Sequence, residues 1–354
     1  MLKRLRVTAA AVAASGGLAL TSAGATPAVA ARPAAVTAPV KAVWSSAAPS
    51  PAKRAEVAVA ALGGRIYQVG GTLQLGDAQA EWATTSVTSY DPGSGEWSQH
   101  APLPRPLTHV GVAALAGKLY AFGGFTSPVH MSPQSAAFVF DPKLDRWRQL
   151  PDMPVKLGSV SVAAVDGKLH LLGGRDSHEI AEQAGSPFPL GFGTVRSHLV
   201  YDPARQSWSS AAPLPAEPRD HAGTVVVGHH IHIFGGRVAD VDDNLDRHDV
   251  YDTRTGRWST AAPLPTPRSA GAATVIRGRI VYAGGECKVV GTSQAFDDVT
   301  VYTPRTDTWA TVTSMPQAKH ALGAATVGDR AYFLGGAQAC GGGASDDTLQ
   351  LRLR

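Results

Sequence analysis

The sequence contains few charged residues for its length. Asp, Glu, Lys and Arg make up 17% of its 354 residues, whereas glycine and proline occur 38 and 25 times. This composition is unsuited to long helices and favours many short strands joined by tight turns. Without residues 1–30, 29 basic residues face 28 acidic ones. No overall charge therefore indicates nucleic acid or an anionic membrane as a partner.

The sequence also lacks the local signatures of several enzyme classes. It has no Gly-x-Ser-x-Gly elbow, no His-Glu-x-x-His pair and no phosphate-binding loop. Each of these motifs supplies a defined piece of chemistry: a nucleophile, a zinc site or a phosphate cradle. If the protein is an enzyme, its active site must be built from residues that are distant in the sequence.

Residues 1–30 have the three parts of a secretory signal peptide. Lys3, Arg4 and Arg6 form a basic start, residues 7–20 are apolar, and residues 28–30 match the small-residue cleavage pattern. Residues 31–42, rich in Ala, Pro and Val, indicate a disordered linker. Because no stop-transfer run follows, we expect a secreted, extracellular protein that does not insert into a membrane.

Six apolar runs, each ending in two glycines, divide the rest of the chain. The first glycines stand at 70, 123, 173, 235, 284 and 335. A period of about fifty residues is typical of propellers and repeat arrays. Each of the first five double glycines is followed by a predicted third strand of the repeat, which ends in a Tyr-Asp-Pro-like turn. A predicted fourth strand comes next and carries a tryptophan. These tryptophans are Trp97, Trp147, Trp208, Trp258 and Trp309.

These elements resemble the kelch repeat, and the resemblance extends over residues 43–354. It implies an all-β, six-bladed kelch-type β-propeller with four antiparallel strands in each blade. The sixth repeat ends without a tryptophan, whereas Trp44 precedes the first repeat. We therefore expect the strand around Trp44 to lie beside residues 348–353, complete the last blade and close the ring.

The chain has two cysteines, and both follow a double glycine. Cys287 comes shortly after the fifth pair and Cys340 shortly after the sixth. If consecutive repeats are adjacent blades, the two thiols lie on neighbouring, equivalent loops. We expect them to form a disulfide after export; the alternative is two free thiols.

Basic residues recur where the chain leaves each fourth strand and approaches the channel. The cations are Arg54, Arg105, Lys156, Arg219, Arg268 and Lys319, and three histidines accompany them: His109, His221 and His320. Four of the cations lie sixteen residues before a double glycine, and two are shifted by one or two positions. The set predicts a positively charged funnel that binds an anionic ligand such as an acidic sugar. Alternatively, these cations bond loop carbonyls or pair with a carboxylate of a neighbouring blade.

The loop after the third double glycine is the longest, and long loops on a rigid ring are common positions for functional sites. It carries Arg175, Asp176, His178 and Glu179. Carboxylates beside a histidine are suited to acid–base work and to ligand binding. The alternative is a solvated lid without a catalytic role.

Two further segments suggest a metal site without completing one. His232 lies near His229 and His230, but it holds a repeat position that is tyrosine in other blades, which predicts packing. Residues 242–246 begin like a calcium loop but lack its glycine and its final glutamate. We therefore expect no metal and no cofactor.

Three functions stay open, and a binding module is favoured because the scaffold recurs throughout while no catalytic set is complete. A secreted, monomeric module would bind a glycan or a protein through its loop-rich face. A sugar-converting enzyme would resemble six-bladed kelch N-acetylneuraminate epimerases and act on an anionic sugar. A structural cell-surface interaction protein is the third possibility. An enzyme should show His, Glu or Asp converging with Arg inside the funnel.

Overall fold

Six four-stranded antiparallel sheets are arranged around a central channel in the computed structural model. The structure describes residues 41–75, 78–127, 130–181, 190–238, 242–288 and 294–354. Each sheet is one blade, and the innermost strands of neighbouring blades contact one another in a closed ring. The six-bladed propeller predicted from the repeat is confirmed.

The blades share one strand order, from the channel outward. In blades 1 to 3 the strands are Ala58–Leu62, Arg65–Val69, Val87–Asp91 and Glu96–Gln99; Gly111–Leu115, Lys118–Phe122, Ala137–Asp141 and Arg146–Gln149; Ser161–Val165, Lys168–Leu172, His198–Asp202 and Ser207–Ser210. In blades 4 to 6 they are Gly223–Val227, His230–Phe234, His248–Asp252 and Arg257–Thr260; Ala272–Ile276, Arg279–Ala283, Asp298–Thr303 and Thr308–Ser314; His320–Val327, Arg330–Ala337, Thr348–Leu353 and Ala42–Ser46.

Two smaller sheets lie in the connections outside the blades. Lys53–Ala55, Thr72–Leu75 and Ala78–Glu81 form a three-stranded sheet. The long loop of blade 3 forms a hairpin from Arg175–Ala181 and Leu190–Thr194. Among the described residues, no helix has the length and apolar character needed to cross a membrane.

The ring is closed by the first strand of the chain. Trp44 pairs with Leu351, and Ala42 pairs with Leu353. The strand therefore starts at the last residue assigned to the linker, while residues 1–40 lie outside the described part of the chain. The indole of Trp44 donates a hydrogen bond of 2.9 Å to the carbonyl of Ser314 in blade 5. The predicted closure through Trp44 is confirmed.

The same contact links neighbouring blades around the propeller. Each outer-strand tryptophan donates its Nε1–H to a carbonyl in the preceding blade or its exit segment, as Trp147 does to Ala101 at 2.9 Å. Aromatic rings fill the space between blades, for example Tyr67 against Phe140. Burial of these large rings, together with the hydrogen bonds of the tryptophan N–H groups, supplies much of the interface stabilisation.

The double glycines are required by a close approach of backbone from the next blade. Gly123 has φ +61°, and a Cβ placed there would lie 2.1 Å from the carbonyl oxygen of Leu157. Gly124 donates its N–H to that same oxygen at 2.8 Å. No side chain fits at this crossing, and the backbone bond joins consecutive blades.

The two cysteines form the expected disulfide. Cys287 and Cys340 are bonded, with their Cα atoms 4.9 Å apart. The bond joins the loops that follow the second strands of blades 5 and 6. Both loops lie at the end of the channel where the candidate site is found.

Four histidines between blades have a packing role, as predicted for His232. His170 Nδ1 lies 2.8 Å from His198 Nε2, and His232 Nδ1 lies 2.9 Å from His248 Nε2. All four are buried against aromatic rings of the next blade. Burial lowers the pKa of His232 to about 3 and the pKa of each of the other three to about 4.

Candidate functional site

A ring of six equivalent residues surrounds one mouth of the channel. Each lies fourteen residues before a double glycine, and we call them the axial ring: Glu56, His109, Ser159, His221, Ala270 and Ala321. All six have φ between +49° and +57°, since the chain turns sharply here into the innermost strand. Backbone hydrogen bonds join them around the ring, as from Glu56 N–H to Ala321 O at 2.8 Å and from Ala270 N–H to His221 O at 2.9 Å.

A cavity of about 220 Å³ lies on the axis beneath this ring. Its walls are the innermost strands of all six blades, with small and apolar residues such as Val112, Val162 and Ala272. The axial ring supplies the polar groups at its mouth. The cavity therefore joins a narrow channel lined by small side chains to a charged rim.

Charged and imidazole side chains converge at this mouth, and we call the group the axial cluster. Its members are Glu56, His109, His130, Arg175, Asp220, His221, Arg237, Glu286 and His320. They come from all six blades or their connections, so the sheets bring together residues from across the sequence.

Asp220 is the centre of one half of the axial cluster. It forms ion pairs with the guanidinium groups of Arg175 and Arg237, and its Oδ1 lies 2.9 Å from His221 Nδ1. Arg237 reaches onward to Glu286, with NH1 2.5 Å from Oε2. All of these side chains are at most 8% exposed, so the network lies almost entirely out of water.

Glu56 and two histidines form the other half. Glu56 Oε2 lies 2.9 Å from His109 Nε2, which is also 3.1 Å from His130 Nε2. The rings of His109 and His221 are 5.2 Å apart, so the two halves meet across the mouth. His320 completes the rim, 3.8 Å from Glu286.

The electrostatics hold the carboxylates ionised. Burial alone would raise the pKa of Glu56, but the charge and hydrogen bond of His109, with the charges of His221 and His320, hold it well below its ordinary value. Burial also acts to raise the pKa of Asp220, and His221, Arg175 and Arg237 reverse the effect. For Glu286 the pKa is lowered because Arg237 and His320 outweigh burial.

The pKa is lowered for two of the imidazoles. Burial is the main cause that lowers the pKa of His130, and the neighbouring cations add to it. His221 also has a lowered pKa, because burial and Arg237 outweigh the attraction of Asp220. A neutral imidazole offers one nitrogen lone pair, so both residues are suited to accept a proton or to bind a cation.

The propeller itself does not require these groups. At the axial-ring position, blades 5 and 6 carry Ala270 and Ala321 where blades 1 and 2 carry Glu56 and His109. Directly after the double glycine, Arg237 of blade 4 corresponds to Ala337 of blade 6. Since alanine satisfies the fold and buried charges are costly, the cluster is a functional-site candidate.

The four cations that share one offset do not enter this cluster. Arg219 donates through NH1 to the carbonyls of Gly235 and Arg247 and pairs with Asp249. Arg54, Arg268 and Lys319 likewise bond the carbonyl of the first glycine in their own blade. All four are buried and have the structural role given as the alternative to ligand binding.

The other predicted site residues divide between the cluster and the surface. His109, His221, His320 and Arg175 belong to the cluster. Arg105 is exposed and donates to Gln134, and Lys156 and Asp176 are exposed as well. His178 and Glu179 lie on the hairpin strand Arg175–Ala181, and their side chains are outside the described part of the chain.

Five members of the cluster were missed by sequence reasoning. Glu56 stands fourteen residues before its double glycine, as His109 and His221 do, and Asp220 stands fifteen before. Arg237 and Glu286 directly follow their double glycines, as Arg175 does. Those offsets identify four of the five residues, whereas His130 lies in a variable loop and has no repeat signal.

Two family models match parts of the chain. Residues 193–336 match the KLHDC2/KLHL20/DRC7 Kelch-repeats domain, and residues 106–154 match the Kelch motif. Both matches lie inside the propeller.

Curated proteins and a solved structure are also similar to the chain. Kelch-like protein terF of Aspergillus terreus is 30% identical over 195 residues, covering 52% of this chain and 39% of that protein. Kelch-like protein 9 of Mus musculus is 37% identical over 81 residues, 23% of this chain and 13% of that protein. The structure of YjhT covers 88% of this chain and all of its own, with a TM-score of 0.72 at 18% identity, which is a likeness of fold.

Proposed function

We propose that this protein, which belongs to the kelch-repeat β-propeller family, is an exported sugar-converting enzyme whose active site is the axial cluster. The observation that carries the proposal is the convergence of carboxylates, imidazoles and arginines within hydrogen-bond distance at a cavity mouth. This is the arrangement that distinguishes an enzyme from a shallow binding face. The Cys287–Cys340 disulfide supports export to an oxidising compartment.

Two carboxylate–imidazole pairs on the axial ring are suited to proton transfer. Asp220 holds Nδ1 of His221, so that Nε2 faces Ser159 and Arg237, each 3.4 Å away. Glu56 and His109 form the second pair at 2.9 Å. One pair can remove a proton from a sugar hydroxyl while the other returns one to a second oxygen, as the interconversion of sugar anomers requires.

The substrate we propose is an acidic sugar, as in the N-acetylneuraminate epimerases that the sequence resembles. Arg237 carries a guanidinium at the rim beside His221, and guanidinium groups bind carboxylates well. The buried carboxylates already balance Arg175 and Arg237. A sugar carboxylate must therefore compete with Asp220 or Glu286, which predicts modest affinity.

The test is anomer exchange followed by nuclear magnetic resonance, with N-acetylneuraminate and a neutral hexose as probes. We expect the protein to accelerate exchange of the acidic sugar, and we expect Asp220→Asn or His221→Gln to lower the rate by about 100-fold or more. Asp152→Asn, at an exposed site, is the control. Absence of both acceleration and ligand-induced stabilisation with the acidic sugar would refute the proposal.

A second candidate is recognition of a protein ligand on the same face. Trp82 is 49% exposed in the connection after the second strand of blade 1, and Val155 is 42% exposed in the connection after blade 2. Large exposed apolar side chains of this kind mark interaction surfaces when they cluster. A photo-crosslinking residue at position 82 should capture an extracellular protein if this function holds, and sugar turnover should then be unaffected.

A further inference from the structure

Three imidazoles from two blades and one variable loop meet at the mouth of the channel. One ring nitrogen each of His109, His130 and His221 lies within 4.8 Å of the others. The ring centroids are 4.6 Å apart for His109 and His130 and 5.3 Å apart for His130 and His221. The side chains of His109 and His221 are only 8% and 5% exposed, but both residues line the axial cavity, which gives a solute a path to them.

The partners of two of these rings hold them as metal ligands are usually held. Asp220 Oδ1 lies 2.9 Å from His221 Nδ1, which leaves Nε2 directed away from the carboxylate. Thr108 Oγ1 lies 3.0 Å from His109 Nδ1. Metal-binding histidines typically donate the second ring N–H to a carboxylate or another oxygen in this way.

The Nε2 atoms of His109 and His130 lie 3.1 Å apart. An N–H on one of these nitrogens, or a cation bound to both, accounts for this distance, since two facing lone pairs would repel each other. Glu56 Oε2 adds a further electron-rich atom 2.9 Å from His109 Nε2.

We infer that His109, His130 and His221 form a binding site for a divalent transition metal such as Zn²⁺, with Glu56 positioned beside it. Each ligating nitrogen must move by less than about 1 Å to reach the 2.0–2.1 Å of a Zn–N bond. Three histidines and an open fourth position are typical of a catalytic zinc site. Imidazole ligands also suit Ni²⁺ and Co²⁺.

The inference uses the site of the proposed function, but it does not rest on the reaction. His109 and His221 would hold the metal, which would supply Lewis acidity at the sugar oxygen in place of proton transfer by these two imidazoles. Glu56 then stays available as the base. Metal binding is therefore measured without any sugar present.

The experiment is equilibrium dialysis of the chelator-treated full chain against Zn²⁺, with metal analysis of the protein. We expect one Zn²⁺ per chain, and each of His109→Ala, His130→Ala and His221→Ala should weaken binding by at least about 100-fold. Asp220→Asn, which acts through His221, should weaken it by about 10–100-fold. Co²⁺ in the same site should give the visible spectrum of a four-coordinate ion.

The control is His230→Ala, because His230 is exposed in blade 4 and lies outside the axial cluster. It should leave the affinity unchanged. His130→Ala is the variant least able to disturb folding, since His130 lies in a loop outside the strands, and circular dichroism should match the parent protein. Less than one Zn²⁺ per chain, or binding that survives His130→Ala and His221→Ala in folded protein, would overturn the inference.

Discussion

The propeller buries basic side chains in two different settings. At the position sixteen residues before the double glycine, Arg219 bonds carbonyl oxygens of its own blade and also pairs with Asp249. Around the channel mouth, Arg175 and Arg237 bond carboxylates that have no counterpart in most other blades. The first setting recurs in four blades, where the cation joins the segment that follows an outer strand to the double-glycine turn. The second occurs once and encloses a cavity.

The difference separates residues that build the fold from residues that build the site. A side chain that recurs at one offset and satisfies backbone groups is explained by the repeat. A different explanation is needed for a buried side chain that differs from the repeat and bonds a second residue that also differs from it. The fold accepts Ala270, Ala321 or Ala337 at the same places. We assign the residues that differ from the repeat in this way to function.

The largest expected effect is the loss of a repeat-position cation. Arg219→Ala removes the buried one of the two guanidinium partners of Asp249 and leaves two backbone carbonyls without their donor, so we expect the free energy of unfolding to fall by about 3–5 kcal/mol. Urea denaturation measures this free energy. Arg205→Ala, 77% exposed in its side chain, is the control and should change little. If the Arg219 variant is as stable as this control, the claim that the repeat-position cations stabilise the fold is wrong.

The disulfide lies beside the channel mouth, because Cys287 directly follows Glu286, and Cys340 directly follows Ala339, whose carbonyl oxygen lies 2.7 Å from His320 Nε2. Replacing both cysteines by serine opens a loop with a sequence separation of 53. We expect a loss of about 2–4 kcal/mol, measured by urea denaturation, and weaker metal or sugar binding. If stability falls while binding is unchanged, the disulfide stabilises the fold but does not shape the site.

Acid should destabilise the propeller through the inter-blade histidines. His170, His198 and His248 have pKa values near 4 and His232 near 3, against an ordinary value of about 6.5. Their stabilising contribution is complete above pH 6.5. It is lost as the pH falls toward 4, because the unfolded chain binds protons that the folded histidines do not.

Each such histidine should contribute a slope of up to about 1.4 kcal/mol per pH unit within that window. His232→Tyr introduces the residue found at the equivalent position of blades 1, 2 and 6 and removes one titrating group. Its unfolding free energy should therefore vary less steeply between pH 6.5 and 4. An unchanged slope would show that His232 does not titrate as its burial predicts.

The smallest expected effect on stability is that of Glu56→Ala. The substitution gives blade 1 the residue that blades 5 and 6 already have at the axial ring. It removes a buried charge together with its need for a partner, so the free energy of unfolding should change by no more than about 1 kcal/mol. Sugar turnover should be lost nonetheless. Glu96→Gln, on an exposed strand end, is the matched control for both measurements.

Much of the fold could be predicted from the sequence because the same strand pattern occurs six times. The double glycines, the tryptophans and the isolated Trp44 determine blade number, strand order and closure, and each reflects a contact that recurs. Cys287 and Cys340 could be paired for the same reason, since equivalent loops of adjacent blades must lie close together.

The site could be predicted only in part. His109, His221, His320 and Arg175 were found, but Arg219 and its equivalents were given a ligand-binding role beside a structural alternative, because charge alone does not tell which way a side chain points. Glu56 was overlooked although it shares the offset of His109 and His221, and Asp220 was overlooked although it shares the offset of His320. His130 could not be found by alignment, because its position depends on how one variable loop folds over the channel.

The most direct test of the account compares Glu56→Ala with Arg219→Ala in two assays, urea unfolding and turnover of N-acetylneuraminate. We predict that Glu56→Ala unfolds within about 1 kcal/mol of the parent protein but has lost activity. Arg219→Ala should lose about 3–5 kcal/mol while the fraction that remains folded keeps its activity. A Glu56→Ala protein that is as unstable as Arg219→Ala, or one that retains full turnover, would contradict the assignment of the axial cluster to function.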